Sequence, residues 1–134
     1  MNIKEAHDVI VLNQKLLDSI VSGDWTTYES LCDPSISCFE AEARGQLVTG
    51  MPFHKFYFDL PAGSAKPAVK KIVTMGSPHV RMLGADAFVI SYVRLTQSLD
   101  ASGAPQTAKC EETRVWQRID SHWKHVHFHR STNA

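Results

Sequence analysis

The segment from Ala87 to Leu99 constrains the fold more than any other part of the chain. One set of its alternate positions carries Phe88, Ile90, Tyr92 and Arg94, and the other set carries Ala87, Val89, Ser91, Val93 and Leu95. Alternate residues of a strand point to opposite faces of the sheet, so this strand is apolar on both faces. A sheet with one face in water would instead alternate apolar and polar residues. The sequence therefore predicts a strand whose two faces are both covered.

Two arrangements would cover both faces of such a sheet. The helices available in a chain of 134 residues can cover only one face, which leaves another subunit as the natural cover for the other. The alternative is a barrel-like curl that hides both faces within one monomer. We predict self-association and keep the curled monomer as the alternative.

The first half of the chain has the periodicity of helices. Apolar residues recur at spacings of three, four and seven from Ile3 to Val21, and Gly23 is a helix stop. A second short helix is predicted from Trp25 to Cys32, ending where Pro34 disfavours helical geometry in the residue before it. Short extended pieces at Ile36 to Glu40 and Gln46 to Val48, and a third short helix with an aromatic edge of Phe53, Phe56 and Tyr57, are predicted to follow.

The second half of the chain alternates like a series of strands. Residues typical of turns separate the last three segments and predict antiparallel neighbours, while Gly76 and Pro78 predict a bulge in the first. Helices followed by strands are typical of a single α+β domain over residues 1–134, with a long N-terminal helix and short helices packed on one face of a curved antiparallel sheet. The predicted strands are Val69 to Leu83, Ala87 to Leu99, Gln106 to Ile119 and Trp123 to Ser131.

Charge and composition exclude several classes of partner. Lys and Arg together number 14, as do Asp and Glu, so no net field favours nucleic acid. The longest apolar runs are too short to span a bilayer and the N-terminus does not open a signal peptide, so we predict a cytoplasmic protein without a membrane partner. Three cysteines without Cys-x-x-Cys spacing predict reduced thiols and neither disulfides nor a zinc site.

Arginines stand among the alternating apolar residues of three predicted strands. The turn lengths set Arg94 opposite Glu111 or Glu112, and they set Glu112 opposite Arg130. Arg114 lies two residues further along the same face, so three guanidiniums are predicted to converge on one carboxylate. Two positive charges are then left over.

This predicted cluster has two interpretations. It is either a buried ionic network completed by Asp59, Glu40 or Glu42, or a pocket in which arginine forks bind a small carboxylate bidentately. Spacing alone leaves both interpretations open.

Longer strings of residues resemble a known family, the association or hub domain of calcium/calmodulin-dependent protein kinase II. The resemblance spans nearly the whole chain, and strings of five or six residues in the same order are far more specific than a lone motif. The matching strings are Gly23-Asp24, Tyr28, Cys32-Asp33-Pro34, Phe39-Glu40-Ala41-Glu42-Ala43, Phe53-His54-Lys55-Phe56-Tyr57-Phe58, Tyr92-Val93-Arg94-Leu95-Thr96-Gln97, Glu111-Glu112-Thr113-Arg114-Val115-Trp116 and Val126-His127-Phe128-His129-Arg130-Ser131.

The resemblance implies a cone-shaped fold of the nuclear transport factor 2-like type and a role as an oligomerisation scaffold. It implies assembly through dimers into two-tiered rings, commonly of twelve or fourteen subunits, and contact with kinase hub domains. It also implies a cavity for small carboxylates under the curved sheet. The residues that would form this site are Arg94, Arg114, Arg130, His54 and Tyr28, together with Glu112 from the strand register.

The chain departs from the kinase hubs in two respects. The hubs have a longer loop with a gating tryptophan after the Phe-Tyr-Phe string, where this chain has Asp59-Leu60-Pro61-Ala62-Gly63-Ser64. The sequence also contains none of the kinase catalytic strings, so we expect either an isolated hub domain or a free-standing hub-like protein.

Enzymes of the same fold type, such as polyketide cyclases and ketosteroid isomerases, provide the alternative function. Glu112, Tyr28 and His54 could serve there as base and hydrogen-bond donors. Arginines beside Glu112 lower its pKa and weaken it as a base, so we predict binding and no catalytic residue. We also predict no cofactor, and no metal on His125, His127 and His129, which are expected on one face of the last strand.

Overall fold

The computed structural model of the chain describes residues 2–60 and 70–131. Helices fill the first part of the described chain, and long strands fill the second. The α+β prediction is therefore confirmed. The elements are α1 (Ile3–Val21), α2 (Trp25–Leu31), β1 (Cys32–Phe39), a 3₁₀ turn (Ala41–Ala43), β2 (Val48–Thr49), α3 (Pro52–Asp59), β3 (Ile72–Met82), β4 (Ala87–Leu99), β5 (Pro105–Ile119) and β6 (His122–Arg130).

Helix α1 begins and ends where its sequence signals predict. The side chain of Asn2 accepts a hydrogen bond of 2.7 Å from the backbone N–H of Glu5, which satisfies one of the free donors of the first turn. Gly23 follows the helix with a φ of 70°, a conformation that costs a residue with a Cβ more than it costs glycine. Within residues 2–60 and 70–131, no helix is both long and apolar enough to cross a membrane.

The six strands form one sheet in the order β2-β1-β6-β5-β4-β3. The four long strands are antiparallel neighbours, which confirms the prediction made for the last three. β1 joins the sheet parallel to β6, so the sheet is mixed and the prediction of a wholly antiparallel sheet is wrong in this part. The long connection through α3 and the four strands β2 to β5 allows this pairing, which a tight hairpin cannot make.

Strand boundaries differ from the predictions by a few residues. β1 begins at Cys32 and not at Ile36 as predicted. Pro34 lies within this strand and has no N–H to donate, and the ladder to β6 is irregular between Cys32 and Ser37. β3 begins at Ile72, and the predicted start at Val69 lies outside the described residues. Most of the loop that departs from the kinase hubs, from residue 61 onward, lies outside them as well. The bulge predicted in this strand is confirmed between Gly76 and His79.

The two faces of β4 are covered to different degrees. Phe88, Ile90, Tyr92 and Arg94 are buried on the inner face, which the helices cover, whereas Val89, Ser91, Val93 and Leu95 are half-buried on the outer face. The sheet does not close on itself in the described chain, because β2 and β3 are its two edges. The outer face of the sheet therefore keeps apolar surface that this monomer does not bury.

Candidate functional site

Glu112 of β5 is the centre of a buried ionic cluster on the inner face of the sheet. Tyr92 donates a hydrogen bond of 2.6 Å to its Oε1, and Arg94 Nη1 and Arg114 Nη2 each lie 3.1 Å from its Oε2. The carboxylate is only 2% exposed. A buried carboxylate with three donors of this kind is held in one orientation, because each alternative would leave a charge desolvated without a partner.

The register of β4 and β5 places these groups. Tyr92 pairs directly with Glu112, and Arg94 pairs with Cys110. The prediction that Arg94 lies opposite Glu111 or Glu112 is therefore wrong, because Leu99 pairs with Pro105 and shifts the ladder. Arg94 still reaches Glu112 along the diagonal of the same face, so the predicted contact of Arg94 and Arg114 with one carboxylate is present.

The cluster strongly perturbs the titration of Glu112. Burial alone would raise the pKa of this carboxyl, but the Arg114 and Arg94 guanidiniums and the Tyr92 hydroxyl lower it to about 2. The pKa of Tyr92 rises to about 12, mainly because the hydroxyl is buried. Glu112 is thus ionised at neutral pH, and the two guanidiniums that share it carry one positive charge more than it neutralises.

Arg114 is enclosed by aromatic side chains. Its guanidinium carbon lies 4.3 Å from the centre of the Phe128 ring, and its Nη1 lies 3.4 Å from His125 Nε2. Burial and the Arg114 charge hold the pKa of His125 well below its usual range, so this imidazole is neutral. The expected single face for His125, His127 and His129 is wrong, because the ladder shifts between Val115 and Trp116 and turns His125 inward.

Arg130 has a different set of partners. It pairs with Glu112 in the ladder, as predicted, but its guanidinium contacts Glu42 and lies 3.8 Å from Glu40 Oε2. Glu40 and Glu42 thus act as the further acceptors that the ionic-network interpretation requires. Asp59, the third predicted acceptor, instead pairs with Lys55.

Tyr28 and His54 form a second part of the site, on α2 and α3. The Tyr28 hydroxyl lies 3.2 Å from His54 Nδ1, and both side chains are buried. Burial and the charge of Arg114 lower the pKa of His54 to about 4, which keeps its ring neutral. His54 Nε2 also lies 3.8 Å from the thiol of Cys38, and His54 Nδ1 lies 3.4 Å from Oε1 of Glu40, whose other oxygen faces Arg130.

Three residues of the site are missing from the sequence prediction. Tyr92 shares the face of Arg94, so strand parity alone places its hydroxyl beside the arginines. Cys38 is buried near the end of β1, two residues before Glu40, which is already a predicted acceptor. His125 gives no such signal of its inward position, because the local shift in the ladder determines its side.

The described residues also enclose a shallow depression of about 450 Å³ on the opposite side of the sheet from the arginines. It is lined by Glu111, Glu112, Thr113, His127, His129 and Ser131. Glu112 contributes to this lining although its carboxylate contacts the arginines on the inner face, so the depression lies on the outer face of β5 and β6, behind the ionic cluster.

Comparison with known proteins identifies the family. The family model described as "Calcium/calmodulin dependent protein kinase II association domain" matches residues 5–134. The chain belongs to this association domain family. The resemblance noted in the sequence is thereby confirmed over nearly the whole chain.

The chain is similar both to a protein kinase sequence and to solved structures of hub domains. The delta subunit of calcium/calmodulin-dependent protein kinase type II from Oryctolagus cuniculus is 45% identical over 124 residues, which are 92% of this chain and 23% of the relative. The chain thus spans about a quarter of the length of that kinase. The hub homology domain of Chlamydomonas reinhardtii is 48% identical, with a TM-score of 0.90 and coverage of 97% of this chain and 99% of that one.

Two further structures place the association domain among its relatives. The association domain of the C. elegans kinase is 43% identical, with a TM-score of 0.87 and 96% of each chain covered. A nuclear transport factor 2-like protein of Salmonella enterica, at 22% identity and a TM-score of 0.68 over 92% of this chain and 86% of that one, shares the fold alone. The predicted nuclear transport factor 2-like fold is confirmed.

Proposed function

We propose that this association domain is an oligomerisation scaffold that assembles with copies of itself. The carrying observation is the outer face of β4, where Val89, Val93 and Leu95 stay half-buried in a monomer whose helices cover only the inner face. Burial of such apolar surface between two copies contributes about 25 cal/mol of favourable free energy for each Å², which favours association. The close relationship to hub domains supports the same conclusion.

The proposed particle is a ring with an even number of subunits, commonly twelve or fourteen. Isologous pairing covers an apolar face with its own copy, and closure of a ring needs a second, lateral contact between dimers. Kinase hub domains that share these surfaces are proposed as further partners, and the cytoplasm is the proposed location. The proposal includes no nucleic acid or membrane partner.

Native mass spectrometry and light scattering test the scaffold directly. The wild-type chain should form particles far larger than a dimer at tens of micromolar. Val93→Asp places a charge on the outer face and should split these particles into smaller units before the domain unfolds. Val11→Asp is the matched control, because Val11 is exposed on α1, and its particles should keep the wild-type size. A monomeric wild-type chain would refute the scaffold.

We further propose that the ionic cluster binds small carboxylates. Arg94 and Arg114 together exceed the charge of Glu112 by one, and the Arg94 side chain is 10% exposed, which gives an anion a route to it. Arg130, His54 and Tyr28 would line the same site. A carboxylate would complete the charge balance through bidentate contacts to a guanidinium.

Thermal unfolding tests the carboxylate site. Acetate or a short hydroxy acid at millimolar concentration should raise the melting temperature in proportion to occupancy, and Arg130→Ala should abolish the increase. Arg118→Ala is the matched control, since Arg118 pairs with Asp86 at the surface. An unchanged wild-type melting temperature at all carboxylate concentrations would refute this site.

The geometry does not favour an enzyme of the cyclase or isomerase type. Glu112 has a pKa lowered to about 2, and a carboxylate this acidic is a weak general base. We therefore assign no catalytic residue, and we expect no turnover of keto-enol or aldol-cyclisation substrates. Activity that disappears in Glu112→Gln would instead support the enzyme function.

A further inference from the structure

Three side chains capable of binding a metal meet between the end of β1 and helix α3. Cys38 is the next-to-last residue of β1, Glu40 directly follows the strand, and His54 comes from the first turn of α3. Cys38 Sγ lies 3.6 Å from Glu40 Oε1 and 3.8 Å from His54 Nε2, and His54 Nδ1 lies 3.4 Å from Glu40 Oε1. One ligand atom from each residue thus falls within 4.8 Å of the other two.

We propose that Cys38, Glu40 and His54 bind a zinc ion, or another divalent ion with the same preference for sulfur, nitrogen and oxygen. Zinc bonds of about 2.0 to 2.3 Å at tetrahedral angles hold neighbouring ligand atoms about 3.3 to 3.8 Å apart. The contacts of Cys38 Sγ with Glu40 Oε1 and with His54 Nε2, at 3.6 and 3.8 Å, already lie in this range. The 3.4 Å contact with Glu40 is made by the other ring nitrogen, Nδ1, so it is not a distance between two ligand atoms when Nε2 binds the ion. Three protein ligands would leave the fourth position of a tetrahedral ion for water or an anion.

The present contacts among these three groups are weak. Each contact is longer than a hydrogen bond of ordinary length between nitrogen or oxygen atoms, and a thiol is a weak donor and acceptor. Cys38 is fully buried, and the Glu40 side chain is 12% exposed, so an ion could enter past the carboxylate. A metal ion would replace three weak contacts with three coordinate bonds.

Charge balance also favours a divalent ion. Ionised Glu40 and the thiolate of Cys38 supply two negative charges, and the thiol proton is released to solvent when the ion binds. Arg130 is the nearest guanidinium to Glu40, and its charge is already matched by Glu42. A divalent ion therefore adds no uncompensated charge to the buried site.

Tyr28 supplies an outer contact for this site. Its hydroxyl lies 3.2 Å from His54 Nδ1, so the tautomer with a proton on Nδ1 can donate to Tyr28 while Nε2 presents its lone pair toward Cys38. Such an outer hydrogen bond orients a ligating imidazole and raises its basicity. This inference depends on neither ring assembly nor carboxylate binding, although His54 and Tyr28 belong to both sites.

Cobalt(II) titration of the chelator-treated full chain tests the zinc site. Cobalt bound to a thiolate gives a charge-transfer absorption band that cobalt with only nitrogen and oxygen ligands lacks. We expect this band in the wild-type chain, its displacement by zinc, and its absence in Cys38→Ser. Cys110→Ser is the matched control, because Cys110 lies on β5 outside the group, and it should keep the band.

Two further variants keep the test decisive if Cys38→Ser fails to fold. Glu40→Gln preserves side-chain volume and should weaken zinc binding while the melting temperature of the metal-free protein stays near that of the wild type. Tyr28→Phe should weaken it about tenfold through the outer contact. A band that is absent from the wild type, persists in Cys38→Ser or disappears in Cys110→Ser would overturn the proposal, as would wild-type zinc affinity in folded Glu40→Gln.

Discussion

Replacement of Glu112 by glutamine should destabilise the domain more than any other change of one carboxylate. The glutamine would fill nearly the same volume but leave Arg94 and Arg114 without their shared anion, and Arg114 is only 1% exposed. Removal of one partner from a buried ion pair costs about 3 to 5 kcal/mol. The pKa lowered from 4.5 to about 2 gives a consistent figure of about 3 kcal/mol.

Urea unfolding of the two proteins at neutral pH measures this loss. Glu111→Gln is the matched control, because Glu111 is the adjacent residue, is exposed and has no ionic partner in the described chain, so its effect should stay within about 0.5 kcal/mol. A loss below about 1 kcal/mol for Glu112→Gln, with an unchanged urea dependence, would refute the reasoning.

The same pKa predicts the pH dependence of that contribution. A carboxyl whose pKa is lower in the folded than in the unfolded chain stabilises the fold above its unfolded pKa of about 4.5, and this contribution disappears as the pH falls toward 2. The stability of the wild-type chain should therefore fall more steeply over this range than that of Glu112→Gln. Parallel curves for the two proteins would contradict the ionic cluster.

Other buried polar groups give further predictions. Burial lowers the pKa of His125, so below pH 6.5 its imidazole takes up a proton in the unfolded chain but not in the folded one, and the fold loses stability. His125→Phe should remove this part of the loss. Equal slopes of stability against pH for the two proteins would argue against it. Asn13→Ala should cost about 1 to 3 kcal/mol in urea unfolding, since Trp116 Nε1 would lose its acceptor at 3.0 Å, whereas Val11→Ala on the exposed side of α1 should cost far less. Gly23→Ala should cost about 1 kcal/mol at a φ of 70°, and an unchanged unfolding midpoint would contradict this strain.

The sequence predicts the helices and strands of this fold better than it predicts which strands pair with each other. The periods of α1 and β4 are clear because each buries one regular set of positions. The parallel pairing of β1 with β6 has no local signal, since it depends on how the chain crosses back after α3 and not on a turn. The start of β1 before Pro34 is unpredicted for a related reason, because neighbouring structure holds these residues extended without a regular ladder.

Prediction of the site is limited by geometry at the scale of single residues. Strand parity brings Arg94, Arg114 and Glu112 to one face, and the structure places them in contact. Parity does not say which carboxylate a long side chain reaches, so it assigns Arg130 to Glu112 although the guanidinium contacts Glu42. One irregular step in the ladder is enough to move His125 from the expected surface into the core.

The parallel pairing of β1 with β6 has a consequence for how the chain folds. Ser37 of β1 contacts His127 of β6 across ninety residues of sequence. Contacts between residues this far apart in the sequence form slowly, because the entropy of closing a long loop is lost before the contacts contribute any favourable free energy. During synthesis, β1 has no pairing with β6 until β6 leaves the ribosome, and only then can the six described strands form one sheet. Copies of the domain should therefore meet only after β6 has joined the sheet.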